Sequence, residues 1–84
     1  MQIRATIIGC EKREIETKRG NQFLTELFII DTDNNKNMYI GQILDKKTFY
    51  SYKETEVVNF TVIGISERNR KLYLSIVPQD KVAG

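Results

Sequence analysis

The 84-residue sequence contains no histidine, so the side chain that most often serves as general base or metal ligand near neutral pH is missing. Its Ser and Thr hydroxyls therefore have no imidazole to activate them, and no glycine-rich phosphate loop is present. Cys10 is alone, which excludes an internal disulfide and leaves no thiolate set for zinc; in its apolar stretch it reads as a small buried hydrophobe. Asp31 and Asp33 are close enough in sequence to suggest a divalent cation, but no third carboxylate follows at the spacing of a calcium loop. Among neighbouring Asn residues they read instead as carboxylates that cap a turn. No catalytic constellation is visible. The expectation is a protein that is not an enzyme, with no cofactor, no metal and no small-molecule substrate.

Binding chemistry is better represented. Lys and Arg gather at turns: Lys12 and Arg13 with Lys18 and Arg19, then Lys46 and Lys47, then Arg68, Arg70 and Lys71. Aromatic rings stand beside these groups. Phe23 follows the Lys18-Arg19-Gly20 turn, Tyr39 follows Lys36, and Tyr50 and Tyr52 follow Lys46-Lys47. Tyr73 alternates with Leu72 and Leu74, so it faces outward if those two are core. Flat rings flanked by cations suit an unpaired nucleic-acid strand, in which each base offers a π-face and each nucleotide a phosphate. The candidate contacts are Arg13, Lys18, Arg19, Lys36, Arg68, Arg70 and Lys71 for phosphates, with Phe23, Tyr39 and Tyr73 as stacking rings. Phe28, Phe49 and Phe60 are assigned to the core.

These side chains must be positioned by strands, because the hydrophobic period is two along most of the chain. Ile3, Ala5 and Ile7 alternate with Arg4 and Thr6, and Gly9 marks a bulge where the strand bends. The charged run 11–17 reads as an exposed extension. Gln22 to Asp31 forms a second strand with Phe23, Thr25, Leu27 and Ile29 on one face and Leu24, Glu26, Phe28 and Ile30 on the other. Both faces are rather apolar, which suggests one face in the core and one covered by something else. A third strand covers about Met38 to Ile43. Glu56 to Ile65, rich in β-branched residues, is the fourth, Ser66 to Arg70 is a hairpin loop, and Leu72 to Val77 is the fifth, closed by Pro78. The stretch from Leu44 to Tyr52 reads as either a single helical turn or a loop plugging the barrel, and Gln79 to Gly84 as a frayed end. Five strands with no long helix predict an all-β fold: one antiparallel barrel spanning 1–84, of the oligonucleotide-binding (OB) type in preference to an SH3-like one.

Composition limits the partners. Thirteen Lys and Arg against eleven Asp and Glu give a net charge of +2, too small for a protein that wraps a duplex, and no helix is predicted to enter a major groove. No amphipathic basic helix, apolar span or signal-like core is read, so no membrane role is expected and the product is expected to stay in the cytoplasm. A chain this short buries about 60–65% of its unfolded surface, and a two-fold dimer would add to its stability.

Four short motifs carry a resemblance: Arg19-Gly20-Asn21-Gln22-Phe23, Ile29-Ile30-Asp31, Ile43-Leu44-Asp45 and Leu74-Ser75-Ile76-Val77-Pro78. In this order the chain resembles the single-stranded DNA-binding proteins of filamentous bacteriophages, which are of similar length, and more broadly bacterial OB domains that bind single strands. The resemblance implies an OB barrel, a homodimer and sequence-tolerant coating of single-stranded DNA during replication or transfer of a phage, plasmid or other mobile element in a bacterial host. It also implies Arg19 near phosphate, with Phe23 or Tyr39 stacking. Glu67 to Lys71 occupies the place of the family's projecting hairpin and lacks its aromatic and glycines. Two alternatives stay open: an RNA-binding OB domain, and a protein-interaction barrel with no nucleic-acid role.

Overall fold

Apolar–polar alternation produces five strands in the computed structural model, which describes residues 1–33 and 37–79. They are β1 (Gln2–Thr17), β2 (Gly20–Asp31), β3 (Met38–Asp45), β4 (Val57–Arg68) and β5 (Lys71–Pro78). The strands pair in the order β1-β2-β3-β5-β4, and β4 returns to β1 to close a barrel. Strand number and order make it the OB type. Four of the ladders are antiparallel, but β3 and β5 run parallel, with Ile40 beside Tyr73 and Gln42 beside Ser75. The expectation of a wholly antiparallel barrel is corrected at that seam. The reason is the connection between β3 and β4, which crosses the barrel rather than turning tightly, so the hairpin that follows brings β5 alongside β3 in the same direction.

The inward faces of all five strands form the core: Ala5 and Ile7, Leu27 and Ile29, Ile43, Val58, Phe60 and Val62, Leu74 and Ile76. Gly41 faces the same interior, where a Cβ would stand 2.6 Å from Ile76 Cδ1, so no larger residue fits without displacing the core. Phe60 is fully buried as expected, whereas Phe28 is not a core residue and lies half-buried on the outer face of β2. Alternation alone explains this correction, since Phe28 shares its face with Glu26.

Bulges bend two strands. β1 shifts register between Ile7 and Gly9, at the glycine marked in the sequence, and β4 does so between Val62 and Gly64. Each bulged strand then runs past the barrel as half of a hairpin. β1 pairs with β4 only over Gln2–Thr6, and its charged second half pairs with β2 as far as Thr17 opposite Gly20. That hairpin projects beyond β3, whose last residue Asp45 lies opposite Phe23. β4 continues to Arg68, so the loop expected over Ser66–Arg70 shrinks to Asn69 and Arg70, both with positive φ (53° and 64°), in a two-residue turn.

The connection 46–56 contains no helix. Four of its amide donors go to strand groups, while Lys53 N–H donates to the Glu56 carboxylate (2.9 Å) and Glu56 N–H to Lys53 O (3.1 Å) within the segment. The Asp45 carboxylate accepts from Lys47 N–H (3.1 Å) and Thr48 N–H (2.8 Å), buried Thr25 Oγ1 accepts from Tyr50 N–H (2.9 Å), and Ile7 O accepts from Thr55 N–H (2.7 Å). Phe49 meets Phe23 edge-on with centroids 5.0 Å apart, and Tyr52 meets Phe60 edge-on at 5.8 Å. The segment is an aromatic plug without helical turns. Gln79, expected to fray, is tied by its N–H to Asn59 O (3.2 Å) and by its side-chain amide to Thr61 Oγ1 (3.0 Å); the rest of that expectation lies outside the described residues.

Candidate nucleic-acid interface

The registers define rows of side chains across the outer face of β1, β2, β3, β5 and β4. One row runs Gly9, Phe28, Ile40, Tyr73, Ser66. The next, towards the β1–β2 hairpin, runs Glu11, Glu26, Gln42, Ser75, Gly64. Beyond it lie Arg13, Leu24 and Leu44, and on the other side Ile30 stands beside Met38. The first row is an apolar and aromatic strip in which Phe28, Ile40 and Tyr73 are half-buried. A Cβ on Gly9 would lie 3.3 Å from Phe28 Cδ2, so the absence of a side chain at Gly9 lets the Phe28 ring lie over the neighbouring strand. Tyr73, at the strip's other end, carries the Arg68 guanidinium 4.3 Å above its ring centroid. Phe28, Met38, Tyr39, Ile40, Arg70, Lys71 and Leu72 line a groove of about 400 Å³ along this strip.

The cations fall into two groups. Asp45 of β3 is level with Phe23 of β2, so Lys18, Arg19, Lys46 and Lys47 stand at one end of the β2–β3 strands. Because β5 runs parallel to β3 with Tyr73 level with Ile40, Arg68, Arg70 and Lys71 stand at the other end. The eight residues of β3 between them span roughly 25 Å. The register sets these two groups at opposite ends of the sheet. In the first group the turn is fixed locally: Thr17 Oγ1 accepts from Arg19 N–H (3.2 Å) and donates to Gly20 O (2.7 Å), with Gly20 at φ +102°, leaving the Lys18 and Arg19 side chains exposed.

Arg13 and the proposed stacking rings are placed differently from one another. Arg13 extends over the outer face, its guanidinium 3.6 Å from Glu26 Oε2, so its charge is partly compensated. Phe23 is on the inner face of β2, half-buried, and packs edge-on against Phe49 of the plug. Tyr39 pairs with Ile29, packs against the core and also lines the groove. Tyr73 is outward, as alternation predicts. Lys36 lies outside the described residues. Tyr50 and Tyr52 also pack against the core, and burial, then the charges of Tyr50, Glu56 and Cys10, push the Tyr52 phenol well above the usual tyrosine range.

Three residues lining the groove have no binding role in the sequence reading: Phe28, which was assigned to the core, Ile40 and Met38. The signal was present in the second strand, where Glu26 shares a face with Phe28 and a carboxylate marks the solvent side. Asp31 Oδ1 accepts from Asp33 N–H at 3.0 Å, the turn-capping geometry expected of it, and no group of three or more Cys, Asp or Glu able to hold a metal ion occurs among the described residues. No helix among them is long and apolar enough to cross a membrane. No protein-family model, no curated protein and no solved structure matches the chain.

Proposed function

We propose that this protein binds single-stranded DNA with little dependence on sequence, across the outer face of β2, β3 and β5. The observation that carries the reading is the open Phe28–Ile40–Tyr73 strip with cations at both its ends. Bases laid on the strip would desolvate apolar surface and stack on rings, while Lys18 and Arg19 at one end and Arg68, Arg70 and Lys71 at the other would meet phosphates. Such a protein would coat intermediates of replication or transfer in the cytoplasm of a bacterial host, with no catalytic step.

The test is a fluorescent oligo-dT titration at two salt concentrations. With three or four phosphates neutralised per chain, log affinity falls against log salt with a slope of roughly −2 to −3. Phe28→Ala and Tyr73→Ala each weaken binding by about 1–3 kcal/mol while the barrel stays folded. A flat salt response, or full affinity in both variants, removes the reading. Oligo-U in parallel decides between DNA and RNA, since nothing on the strip is yet assigned to test a 2′-OH.

A homodimer is the second part of the proposal. Ile63 and Ile65 are 68% and 59% exposed on β4, and among the described residues no strand pairs with that edge of β4 beyond Thr61. An open edge bearing apolar side chains favours pairing with a second copy. Mass determination in solution checks it: the wild type runs as a dimer, and Ile63→Lys with Ile65→Lys as a monomer.

A further inference from the structure

The row beside the apolar strip is built around a carboxylate, which is an odd choice for a surface meant to lie along phosphates. Glu26 sits at the centre of the outer face, between Glu11 on β1 and Gln42 on β3. Its side chain is only 12% exposed. Gln42 Nε2 donates to Glu26 Oε2 at 2.9 Å, and the Arg13 guanidinium stands 3.6 Å from the same oxygen. The carboxylate is therefore held in one orientation and its charge is offset, while Oε1 makes no hydrogen bond among the described residues. Glu26 is two residues along β2 from Phe28, on the same face, so a base stacked on the Phe28–Ile40 strip presents its edge towards this group.

A fixed carboxylate discriminates among base edges, because it offers acceptors only. Guanine has two adjacent donors, N1–H and the N2 amino group, which match the two carboxylate oxygens. Adenine and cytosine each set one amino donor beside a ring-nitrogen acceptor. Thymine sets its single N3–H between two carbonyls, which would face the carboxylate lone pairs. We infer that Glu26, oriented by Gln42, is a specificity residue that gives the single-strand site a preference for guanine over thymine. The inference rests on the proposed single-strand binding and deepens it: the strip and the cations hold any strand, and Glu26 reads one base where it passes.

The experiment compares three oligonucleotides of equal length: oligo-dT, the same strand with isolated guanines between thymines, and that strand with inosine in place of guanine. Isolated guanines avoid four-stranded structures, and inosine lacks only the N2 amino group. Affinity ratios are read within each protein, so an unfolded variant shows itself by losing all three ligands. Wild type binds the guanine strand about tenfold more tightly than oligo-dT, a step typical of one bidentate contact, with inosine in between. In Glu26→Gln, which keeps an oxygen to accept from Gln42 but replaces one acceptor with a donor, the ratio falls to about one. Glu11→Gln, which alters the exposed neighbour, keeps the wild-type ratio. Equal binding of oligo-dT and the guanine strand by wild type overturns the inference and leaves sequence-tolerant binding standing. A guanine preference that survives in Glu26→Gln overturns it as well. Failure of all three strands to bind folded wild type overturns the single-strand reading itself, and this inference with it.

Discussion

Two residues occupy backbone conformations that their side chains disfavour, and the difference between them separates stability from binding. Thr55, a β-branched residue in the plug, has φ 73°, and Arg70 in the β4–β5 turn has φ 64°. The left-handed region costs a non-glycine residue roughly 1–2 kcal/mol. At Thr55 the backbone is held there by its N–H bond to Ile7 O, which glycine would keep. Thr55→Gly is expected to raise stability by about 1 kcal/mol in chemical denaturation and to leave oligo-dT affinity alone, since it lies away from the groove. Arg70 follows Asn69 in a turn that favours Asn-Gly, so Arg70→Gly is expected to stabilise the hairpin by a similar amount. Arg70 also lines the groove, and its loss should weaken oligo-dT binding and make the salt slope shallower by about 0.7. A strained cation at a ligand-facing turn is a local rule broken where function is proposed. If Arg70→Gly binds as tightly as wild type, that interpretation of the strain is wrong.

At the level of elements, the plug shows what a buried polar contact does for a closed barrel. Thr25 is the buried polar residue of β2, and its hydroxyl takes the Tyr50 N–H. Thr25→Val keeps the shape and deletes the acceptor, at an expected cost of about 1–3 kcal/mol in unfolding free energy, with the groove on the opposite face of β2 unaffected. Equal stability of the variant would mean that water replaces the bond. This same segment marks where sequence reading ends. Alternation was enough to assign all five strands, the Gly9 bulge, the outward Tyr73 and the buried Phe60, because each follows from period-two packing against one interior. It was not enough for the plug, where the Tyr50 and Thr55 amides are taken by Thr25 and Ile7, both distant in sequence. Nor could it place the cations: whether Lys18 and Arg70 share an end depends on the parallel β3–β5 seam, a pairing that no local pattern encodes. The contact of Phe23 with Phe49 was out of reach for a related reason, since only the crossing of the plug brings the two rings near.

For the whole molecule, closing the barrel around aromatic side chains links its stability to pH at the alkaline end. Burial is the main cause that pushes the Tyr52 phenol upward in the folded protein, where the ring packs edge-on against Phe60. In the unfolded chain this phenol ionises in the ordinary tyrosine range. Above that range, therefore, the folded state holds a proton that the unfolded state has released. The folded state binds more protons, so stability falls as pH rises. The contribution is fully present below the ordinary tyrosine range and declines progressively above it. Tyr52→Phe retains the ring contact and removes the ionisation. Urea midpoints followed from neutral to strongly alkaline pH should fall more steeply in wild type than in Tyr52→Phe, and the two curves should separate only once the unfolded phenol begins to titrate. Lysine discharge affects both proteins alike and cancels in the comparison. If the curves stay parallel throughout, Tyr52 reaches solvent in the folded barrel, and the plug is looser than its contacts with the core require.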